Sequence, residues 1–330
     1  MSKVSITSSL SGSHYDIFSR AISNVLSTEM SKVTYAQIID GLPLADVVQD
    51  TANGGLPDGH PIHGAHTELC PGILEKARAF WDAFEPGKLY LDVALIAAYR
   101  AMSPGSRAFK TRLIEVTAVA VHEIAVQLFN LGSDLHSEDG ISSWVPFKDD
   151  QFWEFFPGGA WPTLFRHAWY VDYEQYPNGV ADMVGFWAEA RILGGVVLFD
   201  RRDPAASPDV QPDSVWFHSD RYDVTYRIYQ LLDDQKQQLL QFLTSETPDP
   251  RFLPLLGDEK NTRREDPEEP IENTGIYRSR WERKPLAPNA PDERLKDVWD
   301  QFEYPTKADV MRAKGRAVER RSRRLDSGSS

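Results

Sequence analysis

Three histidines, His60, His63 and His66, recur at every third residue and are followed by Glu68. Imidazoles joined by a carboxylate are a donor set for zinc or another divalent cation, so these histidines are candidate metal ligands. The stretch that carries them, DTANGGLPDGHPIHGAH over 50–66, is broken by glycines and prolines and predicts a long loop. A solvated loop with coincidental spacing is the plainer reading. Cys70 follows, opening Cys70-Pro71-Gly72 ahead of the apolar-periodic run ILEKARAFWDAF. A thiol at the positive end of a helix loses its proton more readily and becomes a nucleophile beside a histidine, which makes Cys70 a candidate catalytic group. No cysteine-hydrolase signature surrounds it, and a lone cysteine more often packs as a small hydrophobe.

A second group of polar residues lies later: His167, Glu189, Arg191, His218 and Asp220. Over Val184–Ile192, Trp187, Glu189 and Arg191 alternate with Phe186, Ala188 and Ala190, which predicts a strand with the charged pair on one face. Gly194-Gly195 then reads as a tight reversal, Val196–Asp200 as the returning strand, and Ser214–Ser219 as a third strand of a meander ending at His218 and Asp220. Ionised groups amid apolar surface incur a desolvation cost unless they are paired or face a cavity. These five are therefore the candidate catalytic residues, expected to line a pocket or form an internal ion pair. Two further patterns fail. His122-Glu123 opens like HExxH, but Ile124, Ala125 and Val126 follow. Asp149, Asp150 and Glu154 are spaced like the acidic clamp of terpene cyclases, whereas the downstream sequence is strand-rich.

The elements that must position these groups begin with Ser103–Gly132, which predicts one long core helix capped by Ser103, with Pro104 in its first turn and Gly132 at its end. Its charged residues, among them Arg107, Lys110, Arg112 and Glu115, argue against a membrane span. Helical spacing also predicts helices over Tyr15–Leu26, from Ile73, over Leu89–Met102 and over Tyr222–Leu243. Between Trp144 and Tyr176, twelve of thirty-three residues are aromatic against 11% overall, enough to wall a pocket for a flat or apolar ligand or to form a core layer. The expected fold is α+β, a small antiparallel meander on the central helix and flanking helices. The expected division is an N-terminal segment 1–50, a globular domain 51–257 and a polar extension 258–330.

With 330 residues, one cysteine and a net charge of −13, the chain is too acidic for a general nucleic-acid binder and has no disulfide framework. An intracellular, cytoplasmic protein is expected. The basic segment 307–326 predicts a solvated basic helix, with nuclear targeting or an acidic partner as the lesser readings. No motif specifies a cofactor.

The runs Pro162–His167, EQYPNGVADMVGFWAEARILGGVVLFDR and VWFHSDR ahead of an Arg-Ile-Tyr-Gln-Leu-Leu segment resemble a group of filamentous-fungal (ascomycete) proteins with no assigned activity. The resemblance spans about 72–243 and implies a single family domain tied to specialised metabolism. It transfers no catalytic residue. The functional expectation is an enzyme or enzyme-like protein acting on an apolar or aromatic small molecule. The alternative is a noncatalytic interaction protein whose charged tail recruits a partner.

Overall fold

The computed structural model describes residues 2–51, 56–57, 59–150, 152–155, 159–206, 210–267 and 269–283, and beyond them 304, 306–312, 315 and 318. The chain opens with β1 (Lys3–Ser5), α1 (Ile6–Ser9), α2 (Gly12–Ser27), α3 (Glu29–Asp40), α4 (Ala45–Gln49), α5 (Ile62–Ala65) and α6 (Ile73–Ala83). Next come β2 (Tyr90–Asp92), α7 (Val93–Arg100), α8 (Arg107–Asn130), α9 (Phe152–Phe155), α10 (Val180–Leu193) and β3 (Val196–Asp200). The last elements are β4 (Val215–His218), β5 (Ile228–Gln230), α11 (Asp233–Thr244), β6 (Arg264–Glu265), α12 (Ile271–Thr274) and β7 (Ile276–Tyr277). The fold is α+β. Strands β1 and β2 pair in a small sheet, while five antiparallel strands form the main sheet in the order β6-β5-β4-β3-β7.

The centre is a pair of helices, α8 and α10, packed along each other, with α2, α3 and α7 against α8. Helix α8 starts later than its sequence suggests: Ser106, not Ser103, accepts the Phe109 N–H at 3.1 Å, and residues 103–106 form a turn. It is long and apolar enough to cross a bilayer, but it is mostly covered by the other helices.

Helix α10 corrects the strand expected over Val184–Ile192. Every residue from Ala181 to Leu193 is buried. Val184, Trp187, Ala188 and Ile192 join the helical core, while Met183, Phe186 and Ala190 join a second, aromatic core. A helix apolar on all sides shows no 3.6-residue period, and the chance alternation of large and small residues imitated a strand. Gly194, at φ 111°, ends the helix with its N–H on Ala190 O, and the chain enters β3.

Sheet residues alternate between the same two cores. Val197, Phe199, Val215 and Phe217 face the helices, whereas Val196, Leu198 and Trp216 face Tyr170, Tyr176 and Phe186. Burial on both faces explains why these strands read as unbroken apolar runs. The expected helix over Leu89–Met102 is β2 followed by α7, capped by Asp92 through the N–H groups of Ala94 and Leu95. The expected helix over Tyr222–Leu243 is β5 followed by α11. Helix α3, which sequence reasoning missed, packs on α6, α8 and α10, so residues 1–50 belong to the main core.

The sheet also continues beyond the boundary expected at residue 257. β6 pairs with β5 and β7 with β3, while Glu282 and Arg283 are buried. Of the basic segment 307–326, residues 307–312 are helical and most of the rest lies outside the described residues.

Candidate functional site

The aromatic segment divides into two parts. Residues 165–176 pass beneath the sheet, where Tyr170 stacks on Phe186 at 4.5 Å and Tyr176 packs against Trp281 at 5.4 Å. The earlier part joins the loop before α5 around a cavity of about 300 Å³ lined by His60, Trp144, Phe152, Trp161, Leu164 and Arg166, among others. The His60 ring meets Trp144 edge-on at 4.9 Å, and its Nδ1 accepts the Ile62 N–H at 3.2 Å. Burial, helped by the neighbouring His63, lowers the His60 pKa to about 4, so the ring is neutral at physiological pH with its proton on Nε2. The cavity wall is thus apolar with a few polar groups, the usual makeup of a small-molecule site.

The five expected catalytic residues do not line this cavity; all are buried and tied to internal partners. His167 accepts the Trp169 N–H at Nδ1 (3.2 Å) and donates Nε2–H to His218 O (3.1 Å). His218 donates Nε2–H to Tyr226 O (3.0 Å) and accepts the Tyr170 hydroxyl at Nδ1 (3.2 Å). Burial lowers the pKa of both rings, which are neutral. Asp220 accepts the Ala168 N–H at 3.3 Å, and burial raises its pKa despite His167 and Arg166 nearby.

Glu189 and Arg191 do not share a face. Two residues apart on a helix they point about 200° apart, so each finds its own partners. Arg191 turns to the end of α4, bonding Asp50 O (2.9 Å), Val47 O (3.2 Å) and Asp50 Oδ2 (3.0 Å), with Arg221 on the same carboxylate at 2.8 Å. Glu189 Oε1 accepts from Val197 N and Arg278 Nη1, each at 2.6 Å, and its Oε2 lies 3.7 Å from His122 Nδ1. The other nitrogen of His122 bonds Asp182 at 2.9 Å. Burial opposes charge here, but the partners win. The carboxylates of Glu189 and Asp182 are held below their usual range, and His122 and Arg278 above theirs. The result is a buried quartet of two cations and two anions. Gly185 makes room for it, because a Cβ there would sit 2.4 Å from His122 Nε2.

The three expected metal ligands separate as well. His60 is in the cavity wall, and His63 is half-buried on α5 with Nδ1 3.4 Å from Gln49 Nε2. His66 instead joins Cys70, Asp40 and His136, and one donor atom from each lies within 4.8 Å of all the others. Asp40 is the last residue of α3, His66 caps the end of α5, Cys70 precedes α6, and His136 lies in the turn after α8. Gly41 lets them meet. Its φ of 108° ends α3, and a Cβ there would stand 3.1 Å from Ser133 Cβ and 3.6 Å from His136 Cδ2. Ser133 also donates its hydroxyl to Asp40 O at 2.7 Å, and Cys70 N–H bonds Asp40 Oδ2 at 2.9 Å. Cys70 does not stand at the helix start itself, since the N-cap of α6 is Gly72. Burial and the Asp40 carboxylate push its thiol up to about 11, the reverse of an activated nucleophile.

No family model matches the chain, and no curated protein or solved structure is significantly similar to it. The fungal-family resemblance therefore gains no relative that would carry an activity.

Proposed function

We propose that the protein binds an apolar or aromatic small molecule in the cavity between the aromatic segment and the loop before α5. The observation that supports this is the cavity itself. At about 300 Å³ it falls at the low end of the range for small-molecule sites, and Trp144, Trp161 and Leu164 supply apolar walls. His60, neutral with its proton on Nε2, offers a donor for a ligand hydroxyl or carbonyl, and Arg166 adds a cation to the lining. Binding, rather than acid–base chemistry by His167, Glu189, Arg191, His218 or Asp220, is the role this arrangement favours, because those five are engaged elsewhere.

Titration with planar aromatic and terpenoid compounds tests the reading. A ligand should quench tryptophan fluorescence saturably and raise the melting temperature. Trp161→Ala should weaken that binding at least tenfold while the unfolding midpoint moves little. If no compound in a broad panel binds, or Trp161→Ala leaves affinity unchanged, the proposal is wrong. The alternative of a noncatalytic interaction protein then gains support, with Phe147, 84% exposed, as a contact to examine.

A further inference from the structure

We infer that Asp40, His66, Cys70 and His136 form a tetrahedral binding site for a divalent transition metal, with zinc the ion that fits best. The first support is geometry. Ligands about 2.0–2.1 Å (N, O) and 2.3 Å (S) from a tetrahedral zinc stand about 3.3 Å apart for N/O pairs and about 3.6 Å apart for N and S. His66 Nε2 lies 3.3 Å from Asp40 Oδ2, His136 Nε2 lies 3.4 Å from Asp40 Oδ1, and Cys70 Sγ lies 3.6 Å from His136 Nε2. With Oδ1 as the carboxylate donor, the two separations at His136 Nε2 are edges of such a tetrahedron, while His66 Nε2 stands against the other oxygen of the same carboxylate, and one donor atom from each of the four residues lies within 4.8 Å of all the others.

The second support is where the protons must sit. His66 Nδ1 faces Pro43 O at 3.1 Å, and His136 Nδ1 faces Asp139 Oδ2 at 2.5 Å. Both partners are acceptors, so each Nδ1 carries a hydrogen, and in a neutral ring Nε2 turns its lone pair inward. This is the outer support that metal-bound histidines generally have: a carbonyl for one ring and a carboxylate for the other. Asp139 is itself fixed by the Ile141 N–H at 2.8 Å. Two imidazole lone pairs and a carboxylate then converge, and Asp40 Oδ1, fully buried, accepts no hydrogen bond. A divalent cation satisfies all of these acceptors at once.

The third support is charge and chemistry. Zinc with the Asp40 carboxylate and a Cys70 thiolate makes a neutral centre, which suits a buried position. Binding releases the thiol proton to solvent. One thiolate, two imidazoles and one carboxylate suit zinc, whereas magnesium and calcium take oxygen ligands. Four protein donors fill the tetrahedron, as in structural sites. The ion would tie the end of α3, the segment before α6 and the turn after α8 to one point. The same atoms contain a Cys70–His136–Asp139 relay like that of cysteine hydrolases, but His66 and the carboxylate beside the thiol have no role in such a relay.

Zinc and cobalt titrations of the full chain, stripped with a chelator, decide the matter. One equivalent of Zn²⁺ should bind tightly enough to survive dialysis and raise the melting temperature. Co²⁺ should give visible bands of tetrahedral strength together with a near-ultraviolet thiolate band. Cys70→Ser should abolish the thiolate band, and His63→Ala should retain both features. Asp139→Asn should keep the spectrum while weakening affinity by about 10–100-fold. Zinc should also slow alkylation of Cys70, a readout on the wild-type chain that needs no folded variant. The inference fails if the stripped chain takes up neither metal. It also fails if Cys70 alkylates equally fast with and without zinc, as a hydrolase thiol would.

Discussion

The buried quartet on α10 shows how much depends on single side chains. Glu189 neutralises Arg278 and faces His122, and all three are at least nine-tenths buried. Glu189→Ala removes one anion and leaves two buried cations with Asp182 alone. Breaking such a pair costs about 3–5 kcal/mol, a loss that urea unfolding would register. An unchanged midpoint would mean that the charges are solvated. The histidines also set a pH dependence. His60, His167 and His218 have lowered pKa values in the fold, so the unfolded chain binds more protons below its own histidine pKa near 6.5. Their stabilisation is complete above that pH and is lost as pH falls from about 6.5. His122, with a raised pKa, acts oppositely. Its contribution is full below 6.5 and is lost as pH rises through its folded value, so it does not offset the acid loss. Denaturation at pH 7.5, 6.5 and 5.5 should show stability falling at the acid end. A flat profile would mean that the three rings can protonate in place.

Among the elements, α10 is the test of close packing. Gly185 lies in its interior, where replacement by alanine ordinarily gains about 1 kcal/mol of helix propensity. Here the added Cβ would meet the His122 ring at 2.4 Å, between a helix backbone and an imidazole held by Asp182. Displacing that ring breaks a buried ion pair, worth about 3 kcal/mol or more, so the clash outweighs the propensity. Gly185→Ala should therefore lower the melting temperature. A rise would show that His122 has room to move. Gly194 is similarly confined, with a Cβ position 2.1 Å from Leu255 O.

At the scale of the whole molecule, the sheet joins distant parts of the chain. β7 and Arg278 come from a stretch whose composition is polar and proline-rich, yet they cover the edge of β3 and neutralise Glu189. A chain ending at Gly257 loses β6, β7, Arg278 and Glu282, and should melt more than about 8 °C lower, at roughly 2–4 °C per kcal/mol for a domain this large. A chain ending at Arg283 keeps the seven strands found among the described residues and should melt within a few degrees of the full protein. If the shorter chain is equally stable, the added strands merely decorate the sheet.

By itself the sequence determined the α+β class, the long buried helix near 107–130, the paired strands around 196–218 and the aromatic density that walls the cavity. Each is a local pattern, read from period, caps or composition. Tertiary structure decided the rest, for two physical reasons. A period is legible only when one face is polar, and α10, buried on every side between two cores, had none to show, so Glu189 and Arg191 were set on one strand face when they point apart. Convergence of distant residues leaves no local trace either. The histidine spacing drew attention to His60, His63 and His66, yet only His66 joins Cys70, and the other two donors come from Asp40, twenty-six residues earlier, and His136, seventy residues later. The local signals at those positions, a helix-ending Asp40-Gly41 and a polar turn after α8, specified where the chain bends. Only the packing of α3 against α8 brought the two bends to the same point.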